Sequence, residues 1–112
     1  MIPNLCEKII FKFLGTSLFL IFLSLTQVNA DELFNKGKEV FLEAGNCAAC
    51  HMLIDAGSNA MVGPNLNEIR PDIQRILMAV RNGIGVMPAM EGILTDEEIE
   101  AVAHYTSIAA EQ

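Results

Sequence analysis

Apolar residues recur at three- and four-residue steps in three stretches of this chain, and each stretch is bounded by residues that start or stop a helix. In the first, Leu33, Phe34, Gly37, Val40, Phe41 and Ala44 share one face of a 3.6-residue period, and Gly45-Asn46 closes it. In the second, Ile73, Ile76, Leu77 and Val80 repeat the pattern up to Asn82-Gly83. The third opens on Thr95-Asp96-Glu97-Glu98, a capping box that sets carboxylates at the positive end of the helix dipole. Its stripe is Ile99, Val102, Thr106 and Ala109, with Tyr105 beside it, which predicts a helix over 95–109. Between these stretches, 51–63 reads as loop, with Asp55-Ala56-Gly57-Ser58-Asn59 as turn material. Residues 65–69 allow a short helical turn before Pro71. No alternating pattern marks a strand, and there is no repeat or linker. The expected fold class is all-α.

The first thirty residues follow another pattern. Lys8 and Lys12 give a basic start, 13–25 is largely apolar, and Val28-Asn29-Ala30 is the small-residue ending that a signal peptidase accepts. Residues 1–30 are expected to be a signal peptide and 31–112 one small domain. The alternative is an uncleaved membrane anchor, although the apolar run is short against the ~20 residues of a span.

That division changes the charge and the cysteine count. The whole chain carries a formal −7; beyond residue 30, Lys36, Lys38, Arg70, Arg75 and Arg81 face thirteen carboxylates, a formal −8. Such a surface repels nucleic acid and anionic lipid and attracts a basic partner. Cys6 precedes the apolar run and is not placed as a lipoprotein cysteine. Only Cys47 and Cys50 remain in the domain, so no thiol is left for a structural disulfide.

Those two cysteines stand in Cys47-Ala48-Ala49-Cys50-His51, the spacing of covalent haem c attachment. Each thiol can add across one haem vinyl group, and the adjacent imidazole can place a ring nitrogen on the iron. A bare C-x-x-C also serves as a zinc half-site or a thioredoxin-like redox pair. Zinc would need two further ligands, and the domain offers only His104 and carboxylates. A redox pair normally sits in a βαβ pattern, which is absent. Haem c is therefore the expected cofactor, and a domain this small would use the porphyrin as part of its core.

A second axial ligand, usually Met or His, is then needed. Asn82-Gly83-Ile84-Gly85-Val86-Met87-Pro88-Ala89-Met90 is the place to look. Its glycines permit an irregular loop, and Pro88 pushes Met87 into an extended conformation. Met packs well in irregular gaps, so alone these residues would read as core. With the C-x-x-C-H run, Met87 becomes the expected sixth ligand, Met90 and His104 being the other candidates. Met52, Met61 and Met78 read as core or pocket contacts.

Gly37-Lys38-Glu39-Val40-Phe41, the C-x-x-C-H run, Val62-Gly63-Pro64-Asn65-Leu66 and Met87-Pro88-Ala89 occur in the order found in class I c-type cytochromes. The chain resembles the small soluble bacterial and cytochrome c6-like members over nearly all of 31–112. Met90 departs from them, since cytochrome c6-like proteins usually carry Phe there. The resemblance implies a small cytochrome c fold, three to four helices wrapped around one covalently attached haem. It implies that Pro64 offers its backbone carbonyl to the outer ring nitrogen of the proximal His51. It also implies that the first and last helices cross at Gly37, Phe41 and Tyr105. Haem c is attached outside the cytoplasm in bacteria, so the periplasm is the implied address, or a lumen-like compartment in a photosynthetic cell.

The cofactor-binding residues are thus expected to be Cys47, Cys50, His51, Pro64 and Met87, with His51 and Met87 on the metal. With both axial positions filled, the expected function is electron transfer and not catalysis, and no nucleophile–base set, phosphate loop or dinucleotide fingerprint is present. The partners are expected to be redox proteins with a basic docking face. A membrane is expected only through a partner complex or an uncleaved leader. Alternatives are a cytochrome c subunit of a larger oxidoreductase complex and, further off, a haem-based gas or redox sensor.

Overall fold

The computed structural model describes residues 29–112, which fold into four helices, a single 3-10 turn and one two-stranded ribbon. The leader residues Lys8 and Lys12 and the apolar run 13–25 lie outside the described residues. Helix α1 is helical over 29–42. The 3-10 turn Cys47–Ala49 follows, then strands β1 (Met52–Leu53) and β2 (Ser58–Asn59), then helices α2 (Leu66–Ile69), α3 (Ile73–Asn82) and α4 (Asp96–Ala109). Among the described residues, no helix is long and apolar enough to cross a membrane.

Each helix ends where local chemistry stops it. Gly45 N–H donates to the Val40 carbonyl (2.7 Å), and Asn46 turns left-handed at φ 49°. The Asp72 carboxylate caps α3 by accepting from the Gln74 and Arg75 amides (3.0 and 3.1 Å), and Gly83 leaves the helix at φ 71°. The Thr95 capping box is complete in both directions, at 3.2 and 2.9 Å. Asn65 caps α2, which stops at the left-handed Arg70, before the buried Pro71.

The ribbon is a correction to the sequence reading, which expected loop over 51–63 and no strand. It pairs Met52 with Asn59 and Leu53 with Ser58, antiparallel. Strands of two residues are too short for alternation to show. They exist because Ser58 Oγ accepts from Leu53 N–H (3.0 Å) and donates to the His51 carbonyl (2.9 Å).

The core lies where α1 crosses α4. Tyr105, Phe41, Leu53, Ile99, Val40 and Val102 are its largest fully buried side chains. Tyr105, expected beside the stripe of α4, is at the centre. Its ring meets Phe34 and Phe41 edge-on at centroid distances of 4.9 and 5.8 Å. Helix α4 buries Ala101 and Ala103 as well as its stripe, because α1 and α3 pack on different sides of it. The expected crossing is present: Gly37 sits against the Ala101 carbonyl and the Tyr105 Cβ. His104, expected to face water, is half-buried.

Candidate haem site

The left-handed Asn46 swings the chain out of α1 into the turn that carries Cys47. The amides of Cys50 and His51 both donate to the Cys47 carbonyl (3.1 and 2.9 Å). Both thiols and the imidazole therefore leave one tight turn. Cys47 is half-buried and Cys50 exposed. Burial pushes the Cys47 thiol up to about 11; a backbone hydrogen bond opposes the rise and the Cys50 thiol adds to it. Among the described residues, no three His, Cys, Asp or Glu side chains converge to hold a metal such as zinc.

His51 is oriented by two neighbouring residues. Its Nδ1 lies 2.9 Å from the Pro64 carbonyl. A carbonyl can only accept, so Nδ1 carries the proton, and in the neutral ring Nε2 is the nitrogen that can bind a metal. Next to it, Gly63 lies against the ring face: a Cβ there would come within 2.6 Å of His51 Cε1 and 2.9 Å of Nδ1. The Gly63 amide also donates to the Cys50 carbonyl (2.7 Å), closing 51–63 back onto the attachment turn. Sequence reasoning placed Pro64 here but gave no role to Gly63 or Ser58. Ser58 looked like any turn serine, and Gly63 carried no signal of its own beside Pro64.

The Met87 loop folds back on the end of α3. Ile84 and Met87 exchange backbone hydrogen bonds (3.1 and 2.9 Å), and the Met90 amide donates to the Val80 carbonyl (2.8 Å). Gly83 is obligatory: its φ is positive, and a Cβ would press on the backbone of Met87, Pro88 and Ala89. Met87 and Met90 both pack on the core while partly open, as do Cys47, Ala48 and Leu77. His104, on α4, accepts at its carbonyl from Ser107 Oγ (2.9 Å).

A polar cluster ties the ribbon to the helix crossing. Tyr105 Oη donates to Asp55 Oδ2 (2.7 Å), and Lys38 Nζ reaches the same oxygen at 3.0 Å and the Asp55 carbonyl at 2.7 Å. The Tyr105 hydrogen bond holds the Asp55 carboxyl below its usual range; burial opposes this and Lys38 reinforces it. Burial, and then the Asp55 carboxylate, push the Tyr105 phenol well above its ordinary value. Asn67 adds a second tie, accepting from Ile54 N–H at 2.9 Å and donating to the Ala109 carbonyl at 3.4 Å.

Two thiols at C-x-x-C spacing, an imidazole with a free Nε2 and a thioether on a braced loop form a donor set suited to a covalent haem. Comparison with known proteins agrees. Residues 32–105 match the family described as cytochrome c oxidase, cbb3-type, subunit III. The chain is 36% identical over 85 residues to cytochrome c6 of Cladophora glomerata, covering 66% of this chain and 86% of that one. It is 34% identical over 80 residues to cytochrome c6 of Microcystis aeruginosa, covering 68% and 96%. The crystal structure of the c-type cytochrome SorU from Sinorhizobium meliloti superposes with a TM-score of 0.68 at 55% identity, over 71% of this chain and 93% of that one.

Proposed function

Because the chain belongs to the class I monohaem cytochromes c, electron-transfer proteins with a haem c, we propose that it is a periplasmic carrier with its iron held by His51 and Met87. In this reading Cys47 and Cys50 attach the haem, which supplies one reversible electron as its iron passes between ferrous and ferric states. The observation that carries the proposal is the His51 Nδ1–Pro64 carbonyl bond, which leaves Nε2 free as a ligand. Gly63 lets the ring lie flat against the backbone, and Ser58 fixes the main chain of His51. Pro88 restricts the backbone of Met87, and Gly83 takes the positive φ that turns the chain out of α3. Methionine ligation raises the reduction potential relative to two histidines. The acidic surface steers a basic redox partner into a brief, small interface.

The test is spectroelectrochemical titration of the holoprotein, followed by carbon monoxide on the reduced form. A single reversible one-electron transition with little response to carbon monoxide is expected. A large, fast spectral response would mean an open iron, and would move the protein to catalysis or gas sensing.

The matched family model favours a second reading, a cytochrome c subunit of a larger oxidoreductase complex. Mild solubilisation of membranes from the source cells separates the two. A carrier is found free in the periplasmic fraction, and a subunit runs with membrane proteins at high mass.

A further inference from the structure

Arg81 stands in the last turn of α3, and its guanidinium reaches across the base of the methionine loop. Its Nη1 bonds Asp96 Oδ1 at 2.6 Å and lies 3.9 Å from Glu91 Oε2. Asp96 is the first residue of α4, and Glu91 directly follows Met90. One cation therefore joins the residue before the loop, the residue behind it and the start of the next helix. The Val80–Met90 backbone bond lies beside this clasp, since Val80 precedes Arg81 and Met90 precedes Glu91.

Met87 and Met90 pack on the core, but the tip of the loop has little else to hold it. Its tip is open, with Val86 at 93% and Ile84 at 64% exposure, so apolar burial contributes little there. The Ile84–Met87 pair closes the loop on itself, and the Val80–Met90 bond is what ties the backbone of 84–90 to α3. Segments with few buried contacts open locally at low cost. A guanidinium offers five donors in a fixed fork and can serve two carboxylates together, which an ammonium does less well.

We propose that Arg81 is a positioning residue that keeps the methionine loop closed, so that the Met87 thioether stays seated and exogenous ligands are kept from the iron. This rests on Met87 as the sixth ligand. The role is played through the loop, because Arg81 touches neither thiol nor imidazole.

The test is hydrogen exchange of the Met87 and Met90 amides in the holoprotein, with carbon monoxide binding to the reduced form, in wild type, R81Q, R81K and M87A. In R81Q both amides should exchange roughly fivefold faster, and carbon monoxide should bind faster by a similar factor, the scale expected for two exposed ion pairs. The Val102 and Tyr105 amides should be unchanged, and R81K should recover part of the effect. Equal acceleration at Val102 and Tyr105 would make Arg81 a general stabiliser and overturn the proposal. So would R81Q values equal to wild type while M87A binds carbon monoxide fast, an outcome that leaves the Met87 ligand intact. If M87A itself binds no faster than wild type, the ligand assignment fails and the Arg81 role with it. Should R81Q not accumulate, the E91Q/D96N double variant removes the same clasp and is read in the same way.

Discussion

A Cβ on Gly37 would meet the Ala101 carbonyl oxygen and the Tyr105 Cβ, and would stand 2.8 Å from the Ala101 carbonyl carbon. These atoms belong to backbone and to the root of a buried side chain, so they cannot swing away. Glycine to alanine inside a helix ordinarily gains about 1 kcal/mol. Here Gly37→Ala should instead lose about 1–3 kcal/mol, as overpacked cores do, seen as a lower denaturant midpoint. The reversed sign is the diagnostic. The two methionines pose a different question, because packing alone does not separate them. Met87→Ala should remove the sulfur-to-iron charge-transfer band at the red end of the ferric spectrum and lower the potential. Met90→Leu should keep the band and cost at most about 1.5 kcal/mol. The opposite pattern would place the ligand at Met90. Gly37 was legible in sequence because a helical glycine is costly and needs a reason. The contact of Gly63 with the His51 ring was not, because it depends on how the 51–63 loop closes.

The helices were legible because their signals are local: a 3.6-residue stripe, the Thr95 capping box, and glycine at the exits of α1 and α3. Thr95→Ala should cost about 1 kcal/mol by removing one half of the capping box. The ribbon was illegible because its cause is a side chain, Ser58, and a distant anchor. Asp55, at the turn of the ribbon, is fixed by Tyr105 from α4 and Lys38 from α1. This cluster makes stability depend on pH in a defined way. The folded chain holds the Asp55 carboxyl below its unfolded value, so that contribution is complete above about pH 4 and fades as pH falls through the depressed folded value. The folded chain keeps the Tyr105 proton, while an unfolded tyrosine releases it near pH 10, so stability falls again above about pH 10. Denaturation midpoints across pH should show a plateau between these limbs. Asp55→Asn should flatten the acid limb and Tyr105→Phe the alkaline one; limbs unchanged in both variants would remove the cluster from the account.

The molecule as a whole combines a small core with a strongly acidic surface. The excess of thirteen carboxylates over five cations beyond residue 30 bears on encounter. Stopped-flow electron transfer with a cationic partner should slow as ionic strength rises. A rate flat in salt would leave the charge as a matter of solubility. Among the described residues, large apolar side chains such as Met61 and Val62 stand 88% and 71% exposed, so the polypeptide alone leaves much apolar surface uncovered. In the proposed reading, a porphyrin fixed at Cys47 and Cys50 is the feature on which the other roles depend. The intact mass of the purified native protein after acid denaturation tests it most directly. The mass should exceed that of its polypeptide by one haem, through two thioether bonds that acid does not break. A natively folded protein at the mass of the polypeptide alone, with both thiols still titratable, would contradict it.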